Sequence, residues 1–528
     1  CALIPGVVPA SYREFAVWDI TSHEPPPVDS TMNLRAEPLA DRTCLDAWRI
    51  LSSTCGGDPY TPILKAYVGD PVVIRNIDIG QGMKTLTLDG QRTFLEPRFR
   101  DATGVVSSPT STIHSGISER FTLVLDGGAG GPNHVPGDYL YRNGEGRRLR
   151  SGAWGIIRVL PAVDPSALQP LPGFESLPAQ RSTCPAGAPV HSFAVTALDL
   201  PSTSFGGGKD GRKAAFVPTS LAASVLAKAT FPEPLVLHAA AGECIRVTLT
   251  NSRVGQHASF DVAGLLHDQD SSGINVGANP GDQTVAPGGT RTYTFYADSP
   301  KIEAAVISDY GTVTGSADGL YGALVVAPTG ATFRDSVFGT STDVGARVDV
   351  TVPGQPSYRD VTLLLADNDE RIGQDTMPYP RDVSGPALVN YRQVTGRPDN
   401  AQTFQSIVYG DPPTPLVLAY AGDPVKVHVI DAPGSEQLHV FGLGGMRWPQ
   451  DMAIPGSSAL SSRALGPGEK LDIRVIGGAG GVTHEAGDFF YGDVRRPFTQ
   501  AGMWGIFRVL PDTCATGGSS LVRCLPRP

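Results

Sequence analysis

The feature that most constrains this chain is an internal repeat. The segment TPILKAYVGDPVVIRNID at 61–78 returns as TPLVLAYAGDPVKVHVID at 414–431. GGAGGPNHVPGDYLYRNGEGRRLRSGAWGIIRVLP at 127–161 returns as GGAGGVTHEAGDFFYGDVRRPFTQAGMWGIFRVLP at 477–511, 350 residues further on throughout. A more divergent copy lies between them, PLVLHAAAGECIRVTLTN at 234–251 followed by DGLYGALVVAP at 318–328. A chain that carries one unit three times is expected to fold it three times, as tandem homologous domains.

Within each copy the apolar residues alternate over short runs (VVIRNI, FTLVL, VKVHVI, LDIRVI) separated by Gly-Asp, Gly-Gly and Pro-Gly turn signals. A period of two in short runs is the pattern of an all-β antiparallel Greek-key sandwich. With 62 Gly and 46 Pro among 528 residues and only 18% charged, turn-rich strands are favoured over helical bundles. The boundaries read as a tether at 1–10, domains at 11–165, 184–330 and 358–512, and a disulfide-closed tail at 513–528, with linkers near 162–183 and 329–357. One short helix is expected in ADRTCLDAWRILSST at 40–54, and a surface loop in SFGGGKDGRKAAF at 204–216. That loop lacks GxxxxGK[ST], so it is no phosphate cradle.

A net charge of -10 argues against nucleic acid as a partner. No run of about 18 apolar residues is present to span a bilayer. The cysteines fall into three neighbouring pairs, Cys44 with Cys55, Cys184 with Cys244 and Cys514 with Cys524, leaving Cys1 over. Six cysteines allow many connectivities, and sequence proximity is what selects this one. Without a CxxC spacing, oxidation in an exported protein explains them better than a zinc or redox site. By its position Cys1 resembles the lipid-bearing residue of a bacterial lipoprotein; a fragment start or an intermolecular disulfide is the alternative.

Three tandem sandwiches, GDPV-type strands, a closing GDFFY…GMWGIFRVLP, and DQTVAPGGTRTYTFYAD with GLYGALVVAP in the middle copy together resemble the cupredoxin domains of multicopper oxidases. The likeness is to the bacterial branch related to manganese oxidases, and it implies copper. The family's HCHxxxHxxxxM motif, anchored on Met503, falls on Gly492, Asp493, Val494 and Phe498, so only the Met matches. Its HxxHxHGH motif falls on His439, Gly442, Gly444 and Met446. In the first copy Thr87, Asp89 and Gln91 stand at ligand places, as do Arg142, Asn143, Gly144 and Arg148, with Ala153 at the axial place. In the middle copy Asp309, Tyr310 and Gly311 do so. The chain has ten His in all, none within five residues of another, where a full copper set needs about ten imidazoles and a free thiolate.

Other residues invite functional readings and receive plain ones. His134 and His484 are a matched pair inherited by duplication; His257 and His267 flank FDVAGLL as two ends of one strand. Asp268, Asp270, Ser272 and Gly273 begin like a calcium loop, but Asn279 replaces the closing Glu, so an acidic turn is expected. ADNDERIGQD at 366–375 reads as a solvated edge. No GxSxG nucleophile is present. The Tyr and Arg positions near the closing motifs (Tyr141, Arg142, Arg147, Arg148, Tyr491, Arg495, Arg496) would face a cleft between the outer domains, where arginines pair with Asp89, Asp493 or a bound anion.

The expectation is therefore a non-catalytic, exported, multicopper-oxidase-like protein without catalytic, cofactor-binding or metal-binding residues. It would serve as a structural or binding component of a cell-surface or extracellular assembly, through protein partners or self-association, tethered to a membrane if Cys1 is acylated. The alternatives are a copper-dependent oxidase of metals or phenols with relocated or partner-supplied ligands, and an anion or carbohydrate binder in the vacated cleft.

Overall fold

The computed structural model describes residues 11–21, 30–79, 82–95, 108–173, 177–178, 183–201, 213–369, 383, 385–452, 454–512 and 524–525. The first repeat unit contributes β1 (Arg13–Thr21), β2 (Ser30–Met32), β3 (Ile63–Tyr67), β4 (Val72–Ile79), β5 (Lys84–Leu88), β6 (Thr93–Leu95), β7 (Thr112–Ser115), β8 (Arg120–Leu125), β9 (Gly137–Asn143) and β10 (Trp154–Leu160). They make two sheets, β2-β1-β4-β8-β6 and β3-β10-β9-β5-β7. The middle unit contributes β11 (Val190–Asp199), β12 (Ala214–Pro218), β13 (Leu235–Ala240), β14 (Cys244–Asn251), β15 (Asp261–Ala263), β16 (Leu266–His267), β17 (Thr290–Tyr296), β18 (Ala304–Ser308) and β19 (Gly322–Ala327). Its sheets are β12-β11-β14-β17-β16 and β13-β19-β18-β15.

The last unit runs through β20 (Thr332–Asp335), β21 (Arg347–Thr351), β22 (Tyr358–Asp367), β23 (Ala387–Val389), β24 (Val417–Tyr420), β25 (Val425–Asp431), β26 (His439–Leu443), β27 (Trp448–Pro449), β28 (Ala459–Leu460), β29 (Ser462–Leu465), β30 (Lys470–Arg474), β31 (Gly487–Asp493) and β32 (Trp504–Leu510). One sheet is β20-β21-β22-β25-β30 with β23 on β22, the other β24-β32-β31-β26-β29, and β27 pairs with β28 alone. The stretch at 329–357, read as a linker, thus carries two strands that join the last sandwich.

Each sandwich is antiparallel apart from one parallel pair in each of its two main sheets: β1 with β4 and β3 with β10, β11 with β14 and β13 with β19, β22 with β25 and β24 with β32. The alternating residues expected to face inward do so. Val72, Ile74, Leu86, Tyr141 and Val159 share the first core, and Val427, Val429, Phe441, Tyr491 and Phe507 the last. The repeated AWG and MWG triplets have a packing reason. Tyr141 and Tyr491 lie across Gly155 and Gly505, where any Cβ would overlap the ring, and their hydroxyls donate to the Pro62 and Pro415 carbonyls.

The expected helix at 40–54 is two 3-10 turns, Leu39–Asp41 and Ala47–Arg49, the second inside the loop closed by the Cys44–Cys55 disulfide. Buried Arg42 explains the difference: its guanidinium takes the carbonyls of Ile50, Ser52, Cys55 and Gly57, which a helix would have used itself. The second disulfide, Cys184–Cys244, joins the start of the middle unit to β14 with Cα atoms 5.7 Å apart. Cys1 and Cys514 lie outside the described residues, as do 204–212 of the expected surface loop; Ala214–Phe216 belong to β12.

Candidate functional site

Four strand ends converge at one end of the last sandwich and bring together residues far apart in sequence. β22 ends on Asp367 and β25 on Asp431, β26 begins with His439, and β31 ends on Asp493. His439 Nδ1 is 2.7 Å from Asp493 and Nε2 is 3.1 Å from Asp367, with all three side chains at 0% exposure. Asp493 also accepts the backbone N–H groups of Val440 and Arg495. Phe498 presents its ring edge-on to His439 at 4.8 Å, and Met503 packs in the same core. Burial disfavours a charged imidazole, but Asp431, Asp367 and Asp493 overcome it and lift His439 to about 10. Burial drives the Asp431 carboxyl well above the carboxylate range, against the pull of the His439 charge.

The repeat places a related cluster in the first sandwich. Leu86 pairs with Asn143 as Phe441 pairs with Asp493, so Lys84 stands where His439 does. Asp78 matches Asp431 in the repeated segment. Lys84 Nζ lies 2.6 Å from Asp78, with side-chain exposures of 1% and 0%. In the middle sandwich Asp261 pairs with Ser308 as Gly442 pairs with Gly492, which puts Asp309 at the place of Asp493. Asp309 accepts the N–H groups of Ser259 and Gly311, and burial pushes its carboxyl up to about 7.

A fourth cluster seals the seam between the first two sandwiches. Arg142 Nε donates to Asp89 at 3.0 Å and to the Tyr310 hydroxyl at 2.9 Å, and that hydroxyl donates to Asp89 at 2.7 Å. Asp261 is buried beside them; desolvation and the charge of Asp89 push its carboxyl well above the usual range. A cavity of about 40 Å³ opens here, lined by Arg142, Tyr310, Asp309 and Trp48.

The cleft expected between the outer sandwiches is closed by packing around Thr87 and Gly144, and a pocket of about 90 Å³ remains on the seam, lined by Thr112, Ile113, Arg463 and Glu469. Thr87 accepts from Thr112, a Cβ on Gly144 would strike Thr85 and the Pro467 carbonyl, and His114 binds Glu469 across the seam at 2.7 Å. Its arginines are engaged within the protein. Arg142 turns to the middle sandwich, Arg148 pairs with Glu145, and Arg150 and the Arg147 N–H take Glu436. Arg495 donates to the Leu438 carbonyl, and Arg496 pairs with Asp399 at the surface. Gln91 and Met446 are buried, and Ala153 packs in the first core.

The remaining candidates do not assemble. His134 and His484 adopt matching left-handed turns with φ 51°, each N–H bonded to a glycine carbonyl. His257 stacks on Trp48 at 3.6 Å, while His267 bonds the Asp268 carbonyl elsewhere. Asp268 accepts from Thr183, and Arg291 takes the Asp270 carbonyl, so that segment is a tied-down acidic turn. Of 366–375, Asp367 proves to be an ion-pair partner; 370–375 lie outside the described residues.

Sequence reasoning missed Lys84, Asp78, Asp367 and Asp431. The signal for one pair was present: NID at 76–78 and VID at 429–431 end matched strands on an Asp that the alternation buries.

Blue copper asks for a thiolate and two imidazoles with a weak axial ligand. The places that the sequence resemblance assigns to them do meet in space, but they hold a carboxylate at Asp493, a phenyl at Phe498, and an imidazole whose two nitrogens are both taken by carboxylates. Arg142 sets a fixed cation where another ligand would stand. The residues present do not fit copper. Among the described residues no three His, Cys, Asp or Glu side chains are grouped to hold a metal ion.

No family model matches the sequence, and no curated protein does. Solved structures similar to it include one titled multicopper oxidase, with TM-score 0.41 and 17% identity over 62% of this chain and 92% of that one. A blue copper oxidase from Nitrosomonas europaea follows at 0.40 and 16%, covering 61% and 86%. A copper nitrite reductase from the same organism gives 0.41 and 15%, covering 61% and 95%. The strand orders and the threefold repeat carry the fold assignment: three tandem cupredoxin-like β-sandwiches in a multicopper-oxidase-like fold.

Proposed function

We propose that this protein is a non-catalytic, copper-free relative of the multicopper oxidases that works outside the cytoplasm as a structural or binding component of an envelope or extracellular assembly. The observation that carries this reading is the His439 cluster, where carboxylates occupy both imidazole nitrogens and the place of the thiolate. A metal ion entering there would have to displace two buried ion pairs and would gain no thiolate. The two disulfides, Cys44–Cys55 and Cys184–Cys244, support an oxidising location. Among the described residues no helix is long and apolar enough to cross a membrane. An acyl chain on Cys1 is the proposed means of attachment, and proteins or further copies of the chain are its proposed partners.

The test is elemental analysis of natively purified protein before and after incubation with Cu(I) and Cu(II). The expected result is copper far below one ion per chain and no absorbance near 600 nm. Stoichiometric retained copper would refute the reading in favour of an oxidase with relocated or partner-supplied ligands. Intact-mass measurement of native material reports separately on Cys1: an unmodified terminus removes the anchor.

A further inference from the structure

Away from the buried clusters, the middle and last sandwiches leave a groove of about 540 Å³ between them. That volume lies within the range of small-ligand sites, about 300–1,000 Å³. One side is the turn Pro300–Ile302 with Glu303; the other is built from Tyr358 on β22, Lys426 on β25 and Arg474 on β30. Its walls include Pro328, Pro356 and Pro424, rigid apolar surfaces that lose little entropy when covered.

The charges in the groove are unevenly matched. Lys426 lies 2.7 Å from Glu303 and 4.9 Å above the Tyr358 ring, which fixes one ammonium in the groove. Glu303 reaches it from φ 54° and ψ -94°, a conformation that non-glycine residues rarely adopt and that here persists under backbone bonds to Pro300 and Val326. Lys301 is half-buried and Arg474 exposed, and neither has a carboxylate partner among the described residues. Three cations therefore face one carboxylate in a chain whose net charge is -10. Most other arginines at domain seams are paired, as Arg92 is with Asp126 and Asp298.

We propose that this groove binds a small organic anion carrying two or more carboxylate or phosphate groups, its oxyanions on Lys301 and Arg474 and its hydrocarbon body against the proline walls. The proposal rests on the reading that the protein acts by binding, and it adds a place and a ligand class. The place is centred between the middle and last sandwiches and not on the cleft between the outer ones.

The experiment is isothermal titration of the full chain at low salt with citrate, trigalacturonate, pyrophosphate and the neutral sugar maltotriose. Binding of at least one anion, none of maltotriose, and weakening of about tenfold or more in both Lys301→Glu and Arg474→Glu is the expected result. Whether citrate and trigalacturonate or pyrophosphate binds more tightly assigns the oxyanion. Arg496→Glu, at a distant surface pair, is expected to bind like the parent. Thermal melts of each variant establish folding, and the substituted groups have no ion pair to lose. No binding of any anion, or binding indifferent to both substitutions, overturns the proposal. Copper content is read independently: a copper-free protein with an inert groove loses only this inference, and a copper-loaded protein with a working groove loses only the preceding one.

Discussion

Replacing His439 by Leu tests the central cluster, because it removes the cation and leaves Asp367 and Asp493 buried without it. Breaking a buried pair from one side costs about 3–5 kcal/mol, since the remaining charge is stranded. An independent route gives a similar figure. Raising a buried imidazole from 6.5 to about 10 corresponds to about 5 kcal/mol of preference for the folded state. The sign follows from proton binding. Between 6.5 and about 10 the folded form holds a proton that the unfolded chain has released, so the contribution is complete below pH 6.5 and fades as pH rises towards 10. The assay is guanidinium unfolding followed by tryptophan fluorescence, since Trp448 and Trp504 are both buried in the last sandwich. His428, bonded to Asp472 and Asp360 and likewise lifted to about 10, slopes the same way, so the informative quantity is the parent minus the variant. That difference is expected to be several kcal/mol at pH 6 and to shrink steadily by pH 9.5. A variant within about 0.5 kcal/mol of the parent, or a difference independent of pH, refutes the charged-cluster account. Adding Asp367→Asn and Asp493→Asn to His439→Leu is expected to recover part of the loss, because the stranded charges are gone.

Asp309 slopes the same way in a lower window: its folded form keeps a proton from 3.8 up to about 7, so stability falls as pH rises through that window. Asp309→Asn is expected to stabilise by up to about 4 kcal/mol at pH 8 and to be neutral at pH 3.5, read from the middle sandwich's transition in hydrogen exchange. Gly505→Ala forces a methyl into the Tyr491 ring and is expected to cost about 1–3 kcal/mol, with near-ultraviolet dichroism reporting the displaced tyrosine. Removing Cys184 and Cys244, 60 residues apart, is expected to destabilise by about 4 kcal/mol, measured as a lower melting temperature than the oxidised parent.

The sandwiches were legible because a repeat and a period of two are local signals. The turn glycines at 127–131 and 477–481 likewise announce themselves, several adopting the positive φ that glycine permits. The clusters were less legible because strand pairing assembles them. Asp367 and His439 are 72 residues apart, and Arg142 and Tyr310 are 168 apart. The ligand places near the closing motif could be followed from Met503 because β31, α1 (Arg496–Ala501) and β32 run consecutively. The direction in which Arg142 turns could not, since that depends on how the first two sandwiches meet. The helix expected at 40–54 failed for a related reason: nothing local reveals that Arg42 will consume the loop's carbonyls.

The three sandwiches meet one physical problem in three ways. Matched strand ends place polar side chains inside each β-sandwich, where an unpaired one is costly. The first sandwich answers with the ion pair of Lys84 and Asp78. The last sets His439 between Asp367 and Asp493 with Asp431 nearby, and the middle has Asp309, capped by backbone N–H groups, with buried Asp261 on the paired strand. Side-chain cations thus compensate the inward-facing carboxylates of the outer sandwiches, and backbone N–H groups share that task in the middle one.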